Sequence, residues 1–244
     1  MSIRDVAICI RAVDYSDTSQ VVTLFTADHG KVSAIAKGAK RKKSAFDGPI
    51  ELFSYGDISF ISSETSKLST LSEFTQRPMF LPLRRKLFGL NCAMFAAELI
   101  MNFTDEGDQH KELFEVFVNF LEDVQLSDND NEATALLVLF QLSLLKEIGL
   151  GLTLKNCANC SSAFTKKWGR AYFSSTANGL ICPDCDAAFT DKQNVQLNAS
   201  AAMADLYLFK NADAQTLMQI EKILIYHFTE LLHKPPKMAK HFLS

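Results

Sequence analysis

The sequence is poor in the signatures of most enzymes. It holds no G-x-x-x-x-G-K-[ST] phosphate loop, no G-x-G-x-x-G after a strand, no H-E-x-x-H and no G-x-S-x-G. Its five histidines, His29, His110, His227, His233 and His241, are scattered, and none sits in a motif with an acid or a cysteine. No enzyme class is therefore suggested. Ten Gly and six Pro are too few for a collagen-like or linker-dominated chain, and 48% hydrophobic residues exclude a disordered one. The longest uncharged run in the helical middle, Ala133 to Leu145, has thirteen residues and includes Gln141. A membrane span needs roughly twenty, so this run reads as a buried helix. The N-terminus, MSIRDVAICIRAVDYS, carries Asp5 and alternates apolar with polar residues, unlike the unbroken apolar core of a signal peptide. A cytoplasmic location is expected.

What is present is unevenly spread. At 244 residues the chain exceeds the usual single domain, so one to three domains are expected. Its 25 Lys and Arg against 28 Asp and Glu give a net charge of −3, which taken whole argues mildly against a nucleic-acid partner. Yet His29 to Ala45, HGKVSAIAKGAKRKKSA, holds Lys31, Lys37, Lys40, Arg41, Lys42 and Lys43 and no acid, leaving 19 basic residues against 28 acidic ones elsewhere. Such a cluster suits phosphates, because each contact releases a condensed counterion and needs little geometric precision. A merely solvated basic loop reads the same way. Smaller clusters lie at Arg84-Arg85-Lys86 and at Lys166-Lys167-Trp168-Gly169-Arg170, the latter with the only Trp. That indole can stack on a base or pack on its own subdomain. Asp105 to Glu132 holds ten acids and one base and is expected to face away from nucleic acid.

Up to about Phe74 the period is two. Val6, Ile8 and Ile10 alternate with small or polar residues, as do Val22, Leu24 and Thr26; Asp28-His29-Gly30 is a turn before a third strand over Lys31–Ala36. Ile50–Ile61, with a bend or bulge at Gly56-Asp57, and Lys67–Thr75 bring the count to five. Five short strands suit a small closed barrel, with the OB-fold as one example and a small open sheet or SH3-like barrel as alternatives. Beyond Pro78 and Pro82 the period becomes helical. Helices are expected over Leu83–Ile100, through Leu113–Leu121, from an Asp130-Asn131-Glu132 cap to Gly149, over Ala199–Phe209 and over Asp213–Leu232, where Pro235-Pro236 stops the last.

Between the third and fourth of these helices stand two C-x-x-C pairs, Cys157/Cys160 and Cys182/Cys185, separated by 21 residues. Each pair can grip one side of a tetrahedral ion. Four soft ligands close the shell and leave no position for water, so the reading is one structural Zn2+. A redox dithiol or an iron–sulfur cluster would use the same residues. Ala171-Tyr172-Phe173 and the Asn178-Gly179 turn predict a hairpin between the pairs. Cys9 and Cys92 read as buried small hydrophobes.

The stretch Asp14-Tyr15-Ser16-Asp17, Val22-Thr23-Leu24-Phe25-Thr26, His29-Gly30-Lys31-Val32-Ser33-Ala34-Ile35-Ala36-Lys37-Gly38-Ala39-Lys40-Arg41 and Lys43-Ser44 resembles the bacterial recombination mediator family RecO. The order of parts agrees over essentially the whole chain, down to Tyr172-Phe173-Ser174 and Gly179-Leu180-Ile181-Cys182. One departure is an additional Lys in the basic loop where many relatives have Pro. The resemblance implies an α+β chain: an N-terminal five-stranded OB-fold barrel over 1–78, an all-α domain over 79–150 and 190–244, and an inserted four-cysteine zinc-binding segment over 151–189. It implies binding to single- and double-stranded DNA, annealing of complementary strands coated by single-strand-binding protein, and help in loading RecA. Implied partners are RecR, RecF in some pathways and the acidic, apolar C-terminal tail of single-strand-binding protein, with a nucleoid-associated location. Lys31, Lys37, Lys40, Arg41, Lys42, Lys43, Arg84 and Arg85 are the expected DNA contacts. Arg84, Arg85 and Lys86 beside Leu87 and Leu90 are also a candidate dock for the tail. A zinc-containing transcription regulator or RNA-binding protein is the alternative, which sequence-specific duplex binding would favour. Metal-stimulated DNA cleavage would instead point to a hydrolase.

Overall fold

A computed structural model describes residues 2–41, 44–62 and 68–243, with the side chains of Lys166, Leu206 and Lys210 outside that description. The chain forms two compact units, one of residues 1–90 and 99–125, the other of 91–98 and 126–244.

In the first unit, strands β1 (Ser2–Asp14), β2 (Gln20–Thr26), β3 (Gly30–Ala36), β4 (Tyr55–Ile61) and β5 (Ser69–Arg77) close a barrel in the order β1-β2-β3-β5-β4. All pairings are antiparallel except β3 with β5, and β1 is long enough to pair with β2 on one side and β4 on the other. The alternation expected from the sequence is visible in β3, where Val32, Ala34 and Ala36 are buried and Lys31, Ser33 and Ile35 face the other way. Together with Ala7, Cys9, Val22, Leu24, Ile58, Phe60, Leu71 and Phe74 they fill the barrel. This is the OB architecture. On the outer face of β2, Phe25 packs against Phe114 and Phe117 of helix α2 (Lys111–Leu126), with ring centroids 5.9 and 6.3 Å apart.

The run Ile50–Ile61 is not one strand. Its first five residues form a turn in which Phe53 has φ 65°, the Phe53 N–H donates to Cys9 O, and the Gln20 amide bonds both ways with the Ile50 main chain. Buried Phe46, Ile50 and Phe53 give this segment a strand-like composition without a ladder. Gly56 is a close approach and not a bulge: a Cβ there would lie 2.0 Å from Thr75 O, and the register shift falls at Ser59/Phe60.

The second unit holds the middle of α1 (Leu87–Phe103), α3 (Asp130–Glu147), α4 (Leu197–Ala204), α5 (Ala214–Leu232) and a three-stranded sheet, β7 (Gly179–Ile181), β6 (Ala171–Ser174) and β8 (Gln193–Val195) in spatial order. The N-cap of α3 is Asn129, one residue before the predicted capping run Asp130-Asn131-Glu132. Asn129 Oδ1 accepts from Glu132 N, and the Glu132 carboxylate reaches back to accept from Asp128 N, the residue before the cap. Asp213 caps α5. The helix expected over Ala199–Phe209 breaks after Ala204, because the Asp205 carboxylate accepts from Tyr207 N and opens a separate 3-10 turn. Among the described residues no helix is long and apolar enough to cross a membrane.

Candidate metal centre and nucleic-acid interface

The four-cysteine segment is built from two tight turns. Ser161, at φ 62°, lets the chain fold back so that its N–H donates to Cys157 O and the Cys157 N–H donates to Ser162 O. In the second turn Cys185 N donates to Cys182 O, and Ala158 N donates to Leu180 O, which joins the turns. The close crossing of Gly179 and Thr153 completes the frame: a Cβ on Gly179 would lie 2.2 Å from Thr153 O. The result brings all four sulfurs within 4.8 Å of one another, with Cys160 Sγ and Cys182 Sγ 3.7 Å apart. A disulfide needs about 2.05 Å, and every cysteine of the chain is free. A tetrahedral ion with metal–sulfur bonds of about 2.3 Å would set sulfur–sulfur edges of about 3.8 Å. The four thiols therefore fit a metal ion. Their environments differ: the Ser162 hydroxyl and main chain draw Cys160 down to about 6, whereas burial pushes Cys182 up to about 12. Trp168, Tyr172 and Phe189 pack against this cluster. Cys9 and Cys92 are buried elsewhere, as their apolar settings implied, and burial raises both thiols.

The cations near the barrel have separate environments. The Lys31 ammonium donates to Met101 O at 2.9 Å and to Thr104 O at the end of α1, while Lys31 O accepts from Gly107 N. Ser33 binds the Glu106 carboxylate through N–H and Oγ. Gly30, at φ 63°, is required here because a Cβ would lie 1.7 Å from Asp108 O. After β3 the chain turns at Gly38, φ 75°, where Arg41 N donates to Gly38 O. Gly38 N donates to Ser19 Oγ and Lys40 N to Thr18 O, which fixes this turn on the β1–β2 loop. Lys37 and Arg41 are exposed; the Lys40 ammonium pairs with Asp14 at 2.7 Å and holds that carboxyl below its ordinary value. Tyr15, 68% exposed, stands on the same loop and was not singled out by its charge-free side chain. Lys42 and Lys43 lie outside the described residues. Arg84 is paired with Glu51 and reaches Leu52 O, and Arg85 is exposed.

An OB barrel with a cationic turn, followed by helices that carry a four-thiol module, belongs to the class of architectures suited to nucleic acid. The chain belongs to one family of that class: the description Recombination protein O N terminal matches residues 1–78, and Recombination protein O C terminal matches residues 84–240. It is similar to the DNA repair protein RecO of Rhodopirellula baltica, 31% identical over 82% of this chain and 73% of that one. The DNA repair protein RecO of Alkaliphilus metalliredigens is 29% identical over 92% and 86%, and that of Anaeromyxobacter sp. strain K 34% identical over 73% and 68%.

Proposed function

We propose that this chain is a non-enzymatic recombination mediator that binds single- and double-stranded DNA, anneals complementary strands coated by single-strand-binding protein, and assists RecA loading with RecR and, in some pathways, RecF. The observation that carries the reading is the turn at Lys37–Arg41, held on the β1–β2 loop by Lys40 N–Thr18 O and Gly38 N–Ser19 Oγ, with Lys37 and Arg41 exposed and Lys40 paired with Asp14. Rigid placement of Lys37, Lys40 and Arg41 beside exposed Tyr15 gives phosphates a fixed line of charge and a base a ring to stack on, without reading sequence. A mediator needs that indifference because breaks occur anywhere. Neutralised phosphates also repel a second strand less, which favours annealing. The surface pair Lys40–Asp14 costs little to open, so the ammonium can exchange its carboxylate for a phosphate.

One structural Zn2+ is the ion that best suits four soft thiolates with no open ligand position. Cys157, Cys160, Cys182 and Cys185 would hold it; its contribution is to fold the module. For the acidic tail of single-strand-binding protein, two described surfaces have the required chemistry. Leu87 is 75% exposed beside Arg85 and Lys86 in the first unit. In the second unit a groove of about 440 Å³ is lined by Leu142, Leu152, Leu154 and Met203 with Lys146 and Lys155.

The deciding experiment is annealing of complementary strands coated with single-strand-binding protein, without ATP. Faster duplex formation with the protein supports the reading. Equal rates with and without it would remove the mediator function.

A further inference from the structure

The basic run around the only Trp remains unused by the barrel reading. Residues 151–170 hold four basic residues and no acid. In the structure Phe164 N donates to Lys155 O, which brings the two ends of the first cysteine turn together, and the next turn carries Lys167, Trp168 and Arg170. Gly169 at φ 67° reverses the chain so that Arg170 N donates to Trp168 O. Phe164 and Trp168 are half-buried and meet edge to face, with centroids 5.2 Å apart. Lys155, Lys167 and Arg170 are exposed, and among the described residues none of the three pairs with a carboxylate. Lys40, Arg77, Arg84, Lys111 and Lys192 have acidic partners, whereas Lys37 and Arg41 of the barrel turn are, like these three, exposed without one among the described residues. Three unpaired cations around an aromatic pair are the elements of a single-strand platform: the rings accept a base of any identity, and the cations follow its backbone.

We propose that the four-cysteine module is a second, independent contact for single-stranded DNA, made by Lys155, Lys167, Arg170, Phe164 and Trp168. It rests on the DNA-binding reading above and adds to it. Trp168 also packs on the thiol cluster, so metal loading sets the platform's shape. Two sites in one chain raise the affinity for one strand through effective concentration, or hold two strands at once.

Trp168 is the only tryptophan, so its emission reports this surface alone. The metal-loaded 244-residue chain is titrated with end-labelled oligo(dT), following label anisotropy and Trp168 emission together, at several salt concentrations. Quenching of Trp168 in step with anisotropy is expected. The triple variant Lys155→Gln, Lys167→Gln, Arg170→Gln should bind roughly tenfold or more weakly and lose about 2 from the slope of log affinity against log salt, at about 0.7 per phosphate contact. Its metal content and melting temperature should match the parent. The single variant Arg170→Gln should show the same direction at smaller size. Anisotropy that rises while Trp168 emission stays constant, or an unaltered slope in the triple variant, overturns the second site and leaves the barrel reading intact. No rise in anisotropy with the parent protein overturns the DNA-binding reading itself. Metal loss in the triple variant would assign the cations to balancing thiolate charge and likewise overturn the proposal.

Discussion

The Lys31 ammonium donates to the main-chain carbonyl of Met101, 70 residues away in sequence, and so closes the C-terminal end of α1 onto the barrel strand β3. A helix end leaves carbonyls without partners and carries partial negative charge, and a cation satisfies both needs. Replacing Lys31 with Met should therefore lower stability by about 1.5–3 kcal/mol, the range for a charged hydrogen bond. Urea unfolding measures this. DNA affinity and its salt dependence should stay at the parent value, and a flattened salt slope would return Lys31 to the phosphate contacts.

Without Lys31, five cations of the basic run remain for single-stranded DNA, and the barrel's share of the salt slope should be about −3.5 at 0.7 per phosphate. Replacing Lys40, Arg41, Lys42 and Lys43 with Ala should flatten it to about −0.7 and weaken binding for every sequence alike. Asp14→Asn should do the opposite to affinity. It frees the Lys40 ammonium from its carboxylate at 2.7 Å and removes a negative charge from the path of the strand. Filter binding or anisotropy at a series of salt concentrations separates these outcomes.

Much of this was legible in the sequence because the signals are local. A period of two gives strands, and Asp28-His29-Gly30 and Asn178-Gly179 fall at observed hairpins. Two C-x-x-C pairs meet as one cluster. Partnerships between distant residues were not legible. Alternation places Lys31 on the outer face of β3 but says nothing of Met101. The strand β8 was missed because Gln193-Asn194-Val195 has no periodic signal and exists through pairing with β6. Composition alone made Ile50–Ser54 look like strand, since buried Ile50 and Phe53 serve the core equally well from a turn.

Deep in the second unit, Gln141 Nε2 donates to Glu221 Oε1 at 2.9 Å, and Gln141 Oε1 and Glu221 Oε2 have no partner among the described residues. Burial pushes the Glu221 carboxyl up to about 8, while the hydrogen bond from Gln141 lowers it only in part. A proton on Glu221 supplies the donor that the pair lacks. Unfolded, Glu221 ionises near its ordinary value of about 4.3, so the unfolded chain releases a proton that the folded one keeps. Stability from this site is full below about pH 4.3 and falls as pH rises towards about 8. Glu221→Gln should remove that slope and raise stability at pH 8 by about 1–3 kcal/mol, because the second amide donates where the carboxylate cannot. Denaturant midpoints from pH 5 to pH 8 test it; parallel pH profiles for parent and variant would contradict it.

The thiol cluster makes the sharpest separation between structure and activity. Cys157 and Cys182 are 1% and 3% exposed, one from each turn, so a bound ion would replace buried thiol protons with a crosslink between the turns. Cys157→Ser and Cys182→Ser should each abolish stoichiometric metal and lower the melting temperature by several degrees. Chelation of the parent protein should do the same, and added Zn2+ should restore it. If the metal resides here for folding alone, the barrel continues to bind DNA after chelation with the salt dependence of Lys37, Lys40 and Arg41 intact. Metal analysis, thermal melts and anisotropy on the same samples decide the point: metal lost with an unchanged melting temperature would end the structural assignment.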